Sequence, residues 1–202
     1  MPSYTSHTRI FLDGSDTNET KQLLEQLGFL HGQTTNPSNF VSALKKERGE
    51  QSELKFERDE LLAMYKQRVQ EISKLIPDGS VSIEVYADPQ TTAVQMMAQA
   101  REMFSWISNA HIKLPTTTEG LTAAEYLIHD GVRVNMTLCF SQAQGAAVYA
   151  ATKGAKRGDV FISPFIGRLS KEMSVDGMDL VKNLLHMYKG GDGHVEVLAA
   201  SI

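Results

Sequence analysis

The chain has 202 residues, 42% hydrophobic and 22% charged, an ordinary globular composition that suits one domain over residues 1–202. Twenty Lys+Arg against 24 Asp+Glu leave a net charge of −4 with no basic block, which argues against a nucleic-acid or membrane-surface role. No apolar run approaches the roughly 20 residues of a membrane span. The N-terminal MPSYTSHTRIF has no signal-peptide pattern and the single cysteine, Cys139, forms no intrachain disulfide, so a reducing cytoplasm is expected.

In chain order, RIFLD (9–13) predicts a strand, and NETKQLLEQLG (18–28) predicts a helix stopped by Gly28. HGQTTNP (31–37) reads as a weaker strand, and residues 38–76 as a charged helical region of two helices or one bent one. VSIEVYA (81–87) is a strand of β-branched and aromatic residues, followed by an amphipathic helix over 91–108. HIKLPT (from 111) is a strand, 118–131 a helix, 132–140 a strand and 141–155 a helix. DVFISPFIG (159–167) is a strand, 178–190 a helix, and VEVLAASI (195–202) a last strand.

Seven strands alternating with helices imply a parallel sheet covered by helices. A doubly wound sheet would carry a Gly-rich phosphate turn after its first strand, and DGSDTNE is not one. A (β/α)8 TIM barrel fits the regular alternation better, one strand short, with its site at the C-terminal strand ends.

Strand parity carries the functional signal, because successive side chains point to opposite faces. Phe11 and Asp13 share one face; so do Ser82, Glu84 and Tyr86; His111 and Lys113; Arg133, Asn135 and Thr137; and Phe161, Ser163 and Phe165. The other face is apolar: Ile10 and Leu12, Ile83 and Val85, Ile112 and Leu114, then Val134, Met136 and Leu138. In a barrel the apolar face meets the helices. Asp13, Asn36, Glu84, Lys113, Asn135, Thr137 and Ser163 would then converge at one mouth.

Lys113 is the sharpest of these, since an ammonium is costly to bury unless paired or neutralised. Read structurally, it is a snorkelling or ion-paired lysine. Read functionally, desolvation disfavours its charged form and frees a nucleophile for a substrate carbonyl. Cys139 shares parity with Thr137, but no histidine lies near it in sequence, so a small buried apolar role is expected. The six histidines show no paired metal-ligand spacing, and His111 reads as a core residue below Lys113. The charged stretch 45–71 reads as a solvated helical face.

Taken together, FLD (11–13), TTNPS (34–38), SIEV (82–85), IKLPTTTEG (112–120), VNMTLCFS (134–141) and SPFIGR (163–168) resemble the motifs of the transaldolase family, in that family's order. The resemblance runs along essentially the whole chain. It implies a TIM barrel, no cofactor, no metal, and sugar phosphates as the partners. Lys113 matches the Schiff-base lysine. Glu84 matches the glutamate that acts through a water positioned with Thr137, and Asp13 the aspartate of the acid–base step.

By the same likeness, Asn36, Asn135 and Ser163 would hold hydroxyls of a bound three-carbon unit. Arg168 and Ser201 would hold phosphate. Phe165 matches a phenylalanine seen in many transaldolases. The related fructose 6-phosphate aldolases tend to carry tyrosine at that position and glutamine in place of Glu84, so both residues favour group transfer. The implied activity is a transferase moving a dihydroxyacetone unit in the pentose phosphate pathway. The alternatives are an aldolase of the related kind, or a barrel that only binds sugar phosphate. The family also implies an eighth strand and a C-terminal helix beyond Ile202, and that helix builds ring-like assemblies in small members. Homo-oligomerisation is therefore left open by the sequence.

Overall fold

A computed structural model of the protein describes residues 8–49, 56–172 and 175–201. Residues 50–55, inside the charged stretch 45–71, lie outside the described residues, as do the N-terminal seven residues and Ile202. The chain divides into two compact units, Met1–Ile83 with Trp106–Ala110, and Glu84–Ser105 with His111–Ile202.

The first unit runs β1 (Phe11–Asp13), α1 (Thr17–Leu27), β2 (Gly32–Thr34), α2 (Pro37–Arg48), α3 (Arg58–Leu75) and most of β3 (Ser80–Glu84). Its helices start and stop where local chemistry dictates. The Asp16 side chain accepts from the Asn18 N–H at 2.8 Å to begin α1. Gly28 ends it at φ 78°, a left-handed conformation that costs glycine nothing sterically. The predicted second strand ends at Thr34, before its TNP. Asn36 caps α2 and Pro37 occupies the first helical turn, where its missing N–H is not needed. The charged region resolves into two helices, as one of the sequence alternatives had it. The strands pair in parallel, Asp13 with Thr34 and Thr34 with Ser82. Phe40, Val69, Ile72, Val81 and Ile83 are buried among them.

The second unit holds α4 (Ala93–Phe104), β4 (Ala110–Pro115, from His111 on), α5 (Thr118–His129), β5 (Val134–Cys139), α6 (Gln142–Ala151), β6 (Val160–Pro164), α7 (Ile166–Glu172), α8 (Gly177–Tyr188) and β7 (Val195–Val197). A reciprocal capping box between Thr92 and Gln95 sets the start of α4. Parallel pairing joins β4 to β5, β5 to β6 and β6 to β7. Ile112, Leu114, Val134, Met136 and Ile162 have no solvent exposure, so the face predicted to be apolar is core. Each such side chain contributes on the order of 1.5–3 kcal/mol by leaving water.

The seven strands follow one another in the sheet in sequence order, β1 to β7. A doubly wound sheet reverses its order at a switch point; this one does not. The order is that of the first seven strands of a (β/α) barrel, with helices alternating as predicted.

Besides the second strand, the last is shorter than read, Val195–Val197 in place of 195–202, and three others needed correction. The third strand ends at Glu84, so Tyr86, predicted on its face, is an exposed loop residue whose hydroxyl bonds to Asp88. The sixth ends at Pro164, whose ring removes a ladder donor, and a short helix begins at Ile166 where FIG had been read as strand. The fifth strand is irregular. Met136 pairs with Ile162, yet Cys139 pairs with Pro164, so three steps on β5 match two on β6. The extra residue is absorbed at Leu138, which sits at φ 59°. For leucine that conformation costs about 1–2 kcal/mol. Leu138 is half-exposed and does not join the apolar face. Cys139 shares the face of Met136 and not that of Thr137, as a regular strand would have required.

Candidate functional site

The site begins with Lys113. Every residue of β4 is buried, and the lysine side chain is 7% exposed. Its Nζ lies 2.9 Å from Oε2 of Glu84, a carboxylate 26% exposed at the end of β3. The Val85 N–H donates to the Lys113 carbonyl at 3.2 Å, which holds the two backbones side by side. A desolvated ammonium beside a carboxylate satisfies the burial rule by pairing. It also puts a proton acceptor within reach of the nitrogen, the arrangement an amine nucleophile needs.

Strand register brings the next residues in. Lys113 pairs with Asn135 and Pro115 with Thr137 on β5. Asn135 in turn pairs with Phe161 on β6, two residues before Ser163. The Ser163 hydroxyl donates to Asn135 Oδ1 at 2.7 Å, both residues being fully buried. Thr137 is 2% exposed, and its Oγ1 makes no hydrogen bond within the described residues. A buried hydroxyl in that state is a ready contact for a small ligand oxygen. Beneath the lysine by parity, His111 stacks on Phe161 at 4.4 Å and its Nε2 meets the Gly158 carbonyl at 2.8 Å. It is the core residue the sequence suggested.

Phe165, Arg168 and Ser201 form a second group. The chain after β7 pairs with the start of α7: the Ile166 N–H donates to Ala200 O and the Gly167 N–H to Ser201 O, at 3.0 and 2.6 Å. Ser201 adopts φ 56° in doing so. Arg168 is exposed, and its guanidinium lies 5.3 Å above the Phe165 ring, which packs edge-on against Phe140 at 5.7 Å. An exposed guanidinium held against an aromatic face keeps its fork available to an anion.

Asp13 and Asn36 belong to the other unit, at the ends of β1 and β2. Asp13 accepts from the Thr34 hydroxyl at 2.8 Å and is exposed. Asn36 Oδ1 accepts from the Asn39 N–H at 2.8 Å, so its oxygen caps α2. Burial pushes the Cys139 thiol up to about 11, against an opposing hydrogen bond to Ser141, and leaves it inert. Among the described residues no group of three or more His, Cys, Asp or Glu side chains could hold a metal ion. None of their helices is long and apolar enough to cross a membrane.

A family profile described as Transaldolase/Fructose-6-phosphate aldolase matches residues 10–202. The chain belongs to the transaldolase/fructose-6-phosphate aldolase family. Proteins described as probable transaldolases share its sequence along nearly all of its length. That of Dehalococcoides mccartyi is 39% identical over 194 residues, 96% of this chain and 77% of that protein. Those of Roseiflexus castenholzii and Sinorhizobium medicae are 36% and 38% identical, each over 96% of this chain and 76% of the relative.

Two side chains escaped the sequence reading, Thr116 inside the 112–120 motif and Gln144 just past the 134–141 one. Thr116, just past β4, donates both its N–H and its hydroxyl to the Thr137 carbonyl, at 2.8 and 2.7 Å. Gln144, on α6, accepts from the Phe140 N–H at 2.8 Å and donates to Thr116 O at 3.0 Å. The only sequence signal was the pattern S-x-x-Q at 141–144, which announces a helix start and nothing more.

Proposed function

We propose that the protein is a transaldolase that works through a Schiff base on Lys113. Glu84 accepts a proton from the lysine, and the free amine adds to the C2 carbonyl of a ketose phosphate such as fructose 6-phosphate or sedoheptulose 7-phosphate. Water leaves to give a protonated imine. Asp13 takes the proton of the C4 hydroxyl as the C3–C4 bond breaks, and the electron pair of that bond flows into the imine. An aldose phosphate departs, leaving the three-carbon unit as an enamine. That carbon attacks the aldehyde of an acceptor aldose phosphate, the new oxygen recovers its proton, and water releases the product. One difficult step is thereby divided into two easier ones.

The observation that carries this reading is the buried ammonium 2.9 Å from a carboxylate, in register with Asn135. Asn135 and Ser163, with Asn36, hold the hydroxyls of the bound unit, and Glu84 acts through a water set by Thr137. Arg168 and Ser201 hold the phosphate. The parts of Asp13 and Asn36 rest on the family likeness. Glutamate at 84 and phenylalanine at 165 support transfer over free aldol cleavage, and a cytoplasmic enzyme of the pentose phosphate pathway fits these substrates.

The test is to incubate with fructose 6-phosphate, reduce with borohydride and map the adduct by mass spectrometry. Modification of Lys113 is expected; modification at another lysine, or none, refutes the mechanism. A steady-state assay with and without acceptor aldehyde separates the two family activities, since release of free dihydroxyacetone without acceptor marks an aldolase.

A further inference from the structure

The bulge in β5 stands directly after Thr137, and something must hold it. Leu138 keeps an unfavourable left-handed conformation only if its surroundings over-determine it. Beside the ladder bond from the Phe165 N–H to Cys139 O at 3.0 Å, two side chains hold it. Thr116 fixes the carbonyl before Leu138 with two donors, its own N–H at 2.8 Å and its hydroxyl at 2.7 Å. Gln144 fixes the far side, accepting from the Phe140 N–H at 2.8 Å while its Nε2 reaches Leu138 O at 3.4 Å. The same Nε2 donates to Thr116 O at 3.0 Å, so the two clamps are joined to each other.

Thr116 is buried and lies three residues beyond Lys113 on the same run of chain. The clamp therefore ties the lysine's strand end to the peptide that carries Thr137. Side-chain direction follows the backbone. Pinning the Thr137 carbonyl fixes where Cβ points, and hence where its buried, unpartnered hydroxyl can offer a hydrogen bond.

We propose that Thr116 and Gln144 are positioning residues: Thr116 through the carbonyl of Thr137, and Gln144 through Leu138 O and its bond to Thr116, aim the Thr137 hydroxyl at the water or substrate oxygen that is turned over above Lys113. The proposal rests on the Schiff-base reading. It assigns the clamp to the proton-transfer steps and not to substrate capture, because neither clamp residue bonds to Lys113 or Glu84. A misaimed contact at a reacting group is felt strongly in rate.

The test compares the parent full chain with Thr116→Val, which keeps shape and the N–H, and with Thr116→Ser, which restores the hydroxyl. Turnover number, donor KM and the fraction of Lys113 trapped by borohydride are measured together. Thr116→Val is expected to lower kcat about tenfold with donor KM and trapped fraction within twofold of the parent, and Thr116→Ser to recover most of the rate. Gln144→Glu keeps the acceptor for Phe140 and loses the donor; it is expected to lower kcat with the same unchanged KM, and it decides the matter should Thr116→Val fail to fold. A parent-like kcat in a folded Thr116→Val or Gln144→Glu protein overturns the proposal, as does a Thr116→Ser protein no better than the valine. A parent that traps no adduct at Lys113 overturns the Schiff-base reading, and this proposal with it; a normal adduct with unaffected variants sinks the clamp alone.

Discussion

Replacing Lys113 by methionine should abolish turnover and leave the fold nearly as stable as before. At 2.9 Å the attraction between Lys113 and Glu84 is about 6 kcal/mol for an effective dielectric near 20. Against it stands a desolvation cost of several kcal/mol for each buried ion, so the net contribution of the pair is small. Methionine removes both terms, fills the same space, and leaves a carboxylate that is already a quarter exposed to water. The expected change is within about 1 kcal/mol, or roughly 2–4 °C in melting temperature for a domain of this size.

Glu84→Leu breaks the same contact from the other side and should behave differently. It leaves a buried ammonium, which costs about 3 kcal/mol, or roughly 6–12 °C. The double variant should regain most of that loss. Calorimetric melting of the three proteins, alongside a turnover assay, measures all of it. A Lys113→Met protein that melts as low as Glu84→Leu, or that still turns over, would refute the argument.

Arg168→Ala should raise the donor KM severalfold for phosphorylated ketoses with kcat little changed, since the proposed role of its exposed guanidinium is to bind the phosphate and not to break bonds; steady-state kinetics with and without the phosphate on the donor checks it. Cys139 should resist a thiol reagent at neutral pH until the protein unfolds, so labelling should follow the unfolding curve; fast labelling of the native protein would contradict its burial. The hydrogen bond from His194 draws the Asp192 carboxyl down from 3.8 to about 2. A depressed folded-state value stabilises the native protein above the unfolded value and is lost as pH falls through the folded one. Acid unfolding should therefore steepen between about pH 4 and 2, and Asp192→Asn should flatten that limb.

Much of the architecture was legible in advance because its signals are local and redundant. The alternation of apolar strand faces and the Gly28 stop each follow from a few neighbouring residues, whereas the Asn36–Pro37 helix start was read as the end of a strand. Lys113 and Glu84 could be singled out because a charge on a buried strand is rare enough to demand a reason. What failed was regularity. Parity counting assumes two residues per pleat, and the inserted residue at Leu138 moved Cys139 to the opposite face without any glycine to announce it. FIG after Pro164 looked like strand because its apolar residues are equally at home in a short helix. Thr116 and Gln144 were invisible because the bonds that join them to each other and to Thr137 go to carbonyls 21 and 28 residues away, and long-range backbone partners leave no pattern in a single sequence.

The cap on α2 has a chemical consequence of its own. With Oδ1 of Asn36 already engaged by the amide of Asn39, what that side chain can offer a visitor beyond its duty to the helix is chiefly its NH2 end, a giver of hydrogens. Aspartate at this position would start the helix equally well yet have nothing left to give, so a single exchange of nitrogen for oxygen separates the scaffolding duty of the residue from any part it plays in gripping a sugar.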